Sequence, residues 1–171
     1  MQESFTLYTC PFRDNLNNAY YPNKVTVTNA NDLSGAVAND HVAALYRNNH
    51  RSNSDFIQSD CIMLDLDNTH TDNPNGWKQL ADIEAAFPGV TFYAVGSRNH
   101  MKEKNGAAAR PKYHVYFPIH TVTDTEQYKR LKEWIISIFP YFDVNARDSA
   151  RVFVGVENPK VFSCGGVTNE D

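Results

Sequence analysis

Cysteine is scarce in this chain: Cys10, Cys61 and Cys164 are three among 171 residues, far apart, with no C-x-x-C or C-x-C pair. An odd and scattered set supports neither a disulfide framework nor a cysteine-based zinc site. At this length a folded chain buries roughly two-thirds of the surface that its unfolded form exposes, so one core can stand without covalent staples. Long apolar runs are missing too. The longest uncharged apolar stretch, 85–97, falls short of the ~20 residues that a membrane-spanning helix needs. The opening MQESFTLYTC carries an acid and lacks the basic-then-apolar layout of a secretion signal. A cytoplasmic protein with no membrane partner is therefore expected. Positive charge is the third shortage: 16 Lys+Arg stand against 20 Asp+Glu, a net −4. Proteins that grip phosphate backbones are usually basic, so the average points away from nucleic acid. Repeats, low-complexity tracts and Pro/Ser-rich linkers are absent as well, and the chain reads as one unit, 1–171.

What is present departs from those averages. Between Arg98 and Lys112 lie five basic residues and one acid, a local +4 that leaves −8 for the remainder. Such a run is either a solvated loop or a surface for anions. Apolar periodicity predicts a strand over 24–28, a helix over 32–46, a polar turn at 48–53, a buried strand over 61–67 and an amphipathic helix over 77–87. Strands follow over 90–95 and 113–117, a capped helix over 124–139, and short strands at 141–144, 151–154 and 161–162. The order β α β β α β across 61–156 resembles the ferredoxin-like split βαβ arrangement, an antiparallel sheet with helices on one face.

Asp65 and Asp67 are two apart on an apolar strand, so both carboxylates point to one face. Held that close they repel, and a divalent cation removes the conflict; Mg2+ and Mn2+ favour such hard oxygen ligands. The alternative is a strand end whose acids are solvated or paired with arginine. His114 lies mid-strand, and Arg110 and Lys112 share its face if the chain is extended there. Three potential cations in a row call for anionic partners, either a triphosphate or a cluster of surface acids. Asp143 follows Tyr141-Phe142 and precedes Arg147, Asp148 and Arg151. It reads as a third metal ligand, or Asp148 and its arginines read as an ordinary ion pair.

Asp65-x-Asp67, Lys112-Tyr-His114 and Phe142-Asp143 together are similar to the three ordered motifs of the archaeo-eukaryotic primase superfamily, the primase-polymerases. The stretches 97–119 and 142–151, with Lys160 beyond, look like the phage and mobile-element members, and the resemblance spans about 48–160. It implies an α+β fold: one catalytic domain with a mixed antiparallel, RRM-like or ferredoxin-like unit over 56–162, behind a small N-terminal α/β lead-in over 1–55. It implies a DNA primase or polymerase, a template-dependent nucleotidyltransferase acting on a single-stranded DNA template and a primer strand with NTP or dNTP. Asp65, Asp67 and Asp143 would be catalytic and hold two Mg2+ or Mn2+ ions. His114, Arg110, Lys112, Arg151 and Lys160 would bind the nucleotide. Tyr93, Tyr113 and Tyr116 would stack on bases or pack the core. The resemblance also implies a helicase or accessory domain in a longer protein. One position departs from the pattern: the small residue two before the motif histidine is Lys112 here.

Leu64-Asp-Leu-Asp-Asn-Thr69 also fits D-x-D-x-T, the nucleophile motif of the haloacid dehalogenase-like phosphatases. That reading makes Asp65 the nucleophile, Asp67 the general acid/base, Ser97 the second motif, and Asp143 and Asp148 the metal-binding acids. It requires a parallel doubly wound sheet with a crossover helix, which 98–112 is too polar to supply. A third reading is a non-catalytic module that binds nucleic acid or nucleotide.

Overall fold

The computed structural model describes residues 4–166. Two antiparallel sheets carry the chain. The smaller has the order β2-β1-β3, from β1 (Phe5–Thr9), β2 (Asn23–Val27) and β3 (His41–Val42). The larger runs β4-β5-β7-β6-β8, from β4 (Ala44–Tyr46), β5 (Phe56–Leu66), β6 (Phe92–Gly96), β7 (Tyr113–Val122) and β8 (Val161–Cys164). Helices α1 (Ala30–Ala36), α2 (Leu80–Ala86) and α3 (Thr125–Ile138) complete it. The fold is α+β, with every named strand pair antiparallel.

Alternation along β5 explains why it reads as apolar on both faces. Ile62, Leu64 and Leu66 enter a core with α2 and α3, built from Ile83, Phe87, Tyr128, Ile135 and Phe139. Cys61 and Met63 enter the opposite core, against Phe5, Leu7, Leu33 and Val37 of the small sheet and α1. A strand covered on both faces has no solvent side to mark with polar residues. β6 and β7 follow the same parity: Phe92, Val115 and Phe117 face the helices, while Tyr93, Val95 and Tyr116 face the small sheet. Asp65 and Asp67 therefore prolong the row of Cys61 and Met63, on the face covered by the N-terminal layer.

Several sequence-based expectations shift. The helix expected over 32–46 ends at Ala36, because 41–46 pairs into both sheets as β3 and β4. The strand expected at 141–144 is instead a 3-10 turn over Val144–Arg147 capped by the Asp143 side chain. Phe153 makes only an isolated bridge with His41. Thus the sheet edge beside β5 is filled from upstream, by β4, and β8 closes the other edge beside β6. The boundary expected at residue 55 consequently falls inside one sheet. No described helix is long and apolar enough to cross a membrane.

Candidate active site

The carboxylates lie where β5 ends. Asn68 adopts a positive φ of 52°, a backbone region that asparagine tolerates better than most residues, and turns the chain sharply after Asp67. Its buried side chain donates to the carbonyls of Lys78 and Pro111 and accepts from the Lys78 amide, which fixes the turn. Across the ladder Asp65 stands in register with His114 of β7, on the same face. The His114 Nε2 lies 3.3 Å from Asp65 Oδ1. Burial, then the nearby Arg151 and Arg98, lower the His114 pKa to about 3, so this contact joins a neutral ring to a carboxylate. The ring stacks on Phe153 at 4.2 Å, and its Nδ1 is buried with no partner.

Asp143 reaches the same place by a different route. Its amide donates to the Asp65 carbonyl at 2.9 Å, which staples the start of the 3-10 turn to the end of β5. Its Oδ1 accepts from the Asn145 amide. Arg151 lies between the acids: one terminal nitrogen donates to Asp65 Oδ2 at 3.3 Å and stands 3.9 Å from Asp143 Oδ2, while its Nε is buried without a partner. Burial raises Asp65 to a pKa of about 6, against the opposing pull of Arg151. Burial first and then the Asp65 charge raise Asp67 to about 6 as well. No hydrogen-bond donor reaches the Asp67 carboxylate among the described residues.

Asp65, Asp67, His114 and Arg151 open into a cavity of about 230 Å3 whose wall also includes Arg98, Lys104 and Lys112, while Asp143 lies outside that wall. The basic segment supplies three of its cations by folding back as a narrow hairpin. Lys104 and Ala107 exchange backbone hydrogen bonds around Asn105-Gly106, both at positive φ (51° and 78°), and the Met101 amide donates to Arg110. Asn-Gly is the residue pair that such a two-residue turn favours. The Lys112 amide donates to His100 Nδ1, which ties the hairpin's two arms together. Arg98 is also held from the N-terminal layer, 2.7 Å from Asp14.

The expected nucleotide-binding residues divide. Lys112, His114 and Arg151 line the cavity; Arg110 and Lys160 do not. Arg110 is 4% exposed and is engaged elsewhere: it donates to the carbonyls of Asn68, Thr71 and Ala108 and to Asp72, with Trp77 5.2 Å away. The expectation of a shared face with His114 assumed an extended chain, and β7 begins only at Tyr113. Arg110 is a clamp on the turn after the carboxylates. Lys160 is exposed, with its amine 5.3 Å from the Phe162 ring. Asp148 lies on neither cavity that Asp67 borders, and its Oδ1 accepts from the Ala150 amide. Tyr113 and Tyr116 are buried core residues, as is Tyr93.

Spacing within the basic run singles out neither Arg98 nor Lys104, yet both line the cavity. Lys132 lies on the buried face of α3, where its amine donates to the carbonyls of Ala146 and Asp148 and holds the turn behind Asp143. Burial lowers its pKa to about 8. A single lysine in an amphipathic helix carries no sequence signal of burial.

Three carboxylates, two of them driven toward protonation by burial and mutual repulsion, suit a hard cation in kind. Among the described residues no group of three or more His, Cys, Asp or Glu side chains is arranged to hold an ion as it stands. Arg151 supplies the positive charge between Asp65 and Asp143 instead.

No protein-family model matches the chain. No curated protein matches it. Among solved structures, the chain is similar to the AEP domain of the cyanophage S-2L primase-polymerase (PrimPol), at 15% identity and a TM-score of 0.49, covering 94% of this chain and 80% of that one.

Proposed function

We propose that the chain is a template-dependent nucleotidyltransferase of the primase-polymerase kind, joining nucleotides on a single-stranded DNA template with the help of Mg2+ or Mn2+. The observation that carries this reading is the juxtaposition of the Asp65/Asp67 pair with His114 and four cations, Arg98, Lys104, Lys112 and Arg151, around one cavity. A nucleoside triphosphate bound with a divalent cation has this charge pattern in negative: phosphates for the cations, metal for the carboxylates. An isolated acid pair would need no such ring of bases.

Asp65, Asp67 and Asp143 would hold the ions. When bound, such ions favour attack by a hydroxyl and stabilise the leaving pyrophosphate. The protein's own groups do the rest. Lys104, Lys112, Arg98 and Arg151 bind the triphosphate, and in this partly buried setting each contact is stronger than its surface counterpart. His114, neutral and packed on Phe153, forms part of the wall that the triphosphate meets and holds Asp65 in place through its Nε2. In the transfer the bond from the 3′-oxygen to the α-phosphorus forms, the bond to pyrophosphate breaks, and the hydroxyl proton passes to solvent.

The phosphatase alternative loses its scaffold. Its motif needs parallel strands, whereas β5, β6 and β7 lie in an antiparallel sheet with β7 between the other two. Its nucleophile would be Asp65, which is 5% exposed and bound to Arg151. Incubation with Mg2+ or Mn2+, labelled nucleotides and a primed single-stranded template tests the proposal. Extension by the wild type and none by Asp65→Ala is expected. Absence of product with either metal, or retained template binding with no sensitivity of any activity to Asp65→Ala, would make the chain a binding module.

A further inference from the structure

Asp67 borders two cavities. Beyond the cationic one lies a second, of about 390 Å3, lined by Thr69, His70, Tyr141, Phe142, Asp143 and Val144 among others. Its volume is in the about 300–1,000 Å3 range of small-ligand sites. The two cavities differ in charge. The first carries four arginines and lysines on its wall, and the second carries none, its charged residues being the carboxylates of Asp67 and Asp143. A polyphosphate seated there would find no arginine or lysine on the wall, and the two carboxylates beside it would already be engaged with the metal, whereas the first cavity offers four cations. A nucleoside, neutral in both sugar and base, needs no such cations.

The walls suit a flat, partly apolar group. Tyr141 is half-buried, held by Phe139 at 5.1 Å and His70 at 4.9 Å, with the Lys78 amine 4.6 Å over its ring. His70 in turn contacts the Gly76 carbonyl at 2.8 Å, so the ring pair joins the turn after β5 to the turn before Asp143. Val144, next to Asp143, is 53% exposed although it is apolar. An aromatic ring and an exposed aliphatic side chain lining one cavity give a base or sugar something to pack on.

Resting on the nucleotidyltransferase reading, we infer that this second cavity is the acceptor subsite: it seats the 3′-terminal nucleoside of the strand being extended, with Tyr141 and Val144 as its packing surfaces. The shared wall at Asp67 then lies between the hydroxyl that attacks and the triphosphate that is attacked. The strand's phosphates stay outside the cavity, away from Asp143. The site therefore accepts a strand end bearing a free 3′-hydroxyl and rejects one bearing a 3′-phosphate.

Two measurements test the subsite. A primer carrying 4-thiothymidine at its 3′ end, annealed to a template and photo-crosslinked to the intact chain, should attach within residues 69–77 or 139–145 on peptide mapping. Attachment confined to the basic hairpin, or elsewhere, overturns the assignment. This readout requires no turnover, so it stands even if the wild type fails to extend primers, a result that would instead remove the nucleotidyltransferase reading. In steady-state extension, Val144→Asp should raise the KM for primer about tenfold, the scale of one lost packing contact, and leave the KM for nucleotide unchanged. A rise in both constants, or in neither, counts against the inference. Since Val144 is exposed at the start of a 3-10 turn, the variant should fold.

Discussion

Asp67 is a costly residue in the folded protein. Burial and the neighbouring Asp65 raise its pKa to about 6 from an ordinary 3.8. The folded state thus holds this proton more tightly than the unfolded chain. Stability from this group is full below about pH 4, falls as pH rises toward about 6, and remains reduced at neutral pH. Asp67→Asn should therefore melt at a higher temperature than the wild type at pH 7 in chelator, with the difference shrinking as pH is lowered toward 4; differential scanning calorimetry across that window checks it. The same variant should lose extension activity. Arg151 has the complementary position. It occupies the gap between Asp65 and Asp143 and must leave it for a cation to enter. Arg151→Gln should bind Mn2+ more tightly in the absence of nucleotide, by about tenfold on the scale of one lost charge neighbour, and bind nucleoside triphosphate more weakly. Electron paramagnetic resonance of free Mn2+ reads the first change directly. Arg151→Lys should lie nearer the wild type. At this scale the sequence was informative about the acids and His114, whose motif order brought them together, and silent about Lys132, whose burial depends on what α3 packs against.

At the scale of elements, the site depends on segments that only approach one another closely because a side chain is missing. Gly155 is the plainest case. A Cβ added there would lie 2.6 Å from the Ala38 carbonyl oxygen and from Asn39 backbone, and the Gly155 amide donates to the fully buried Asp40 carboxylate. That contact seats the 151–156 segment against the N-terminal layer, where Phe153 covers His114. Gly155→Ala should destabilise the protein by about 1–3 kcal/mol, the usual range for overpacking. It should also lower nucleotide affinity, because Phe153 shifts off His114; urea unfolding and nucleotide titration of the folded protein separate the two effects. The buried halves of β5 and β7 and helix α3 match the expected elements because their apolar periods are uninterrupted, whereas β1 has no expected counterpart. The elements that differ are short. Residues 41–46 carry helical spacing yet pair as β3 and β4, since those side chains fill two cores at once. Residues 141–144 are β-rich, but Asp143 caps a turn and the edge beside β5 is already taken. Arg110 departs from the expected face for the same reason: it precedes Tyr113, where β7 begins, so the two-residue alternation of a strand does not reach it.

Over the whole molecule, the net charge of −4 conceals a division of labour. The five-stranded sheet is covered on one face by α2 and α3 and on the other by the small sheet and α1, with Asp65 and Asp67 at the C-terminal edge of β5. Carboxylates emerge at that edge from the sheet, and cations arrive from the hairpin at 98–112 and from Arg151. The shortage of basic residues noted in the composition is thus a shortage elsewhere, with the local +4 placed against the acids. On the nucleotidyltransferase reading, these opposed charges together hold a nucleoside triphosphate with its divalent cation. Calorimetric titration of a nucleoside triphosphate into the protein, with Mn2+ and then with chelator, tests this most directly. One site per chain is expected, requiring the metal and abolished by combining Asp65→Asn with Asp67→Asn. Equal affinity in chelator, or an unchanged isotherm for the double variant, would contradict it.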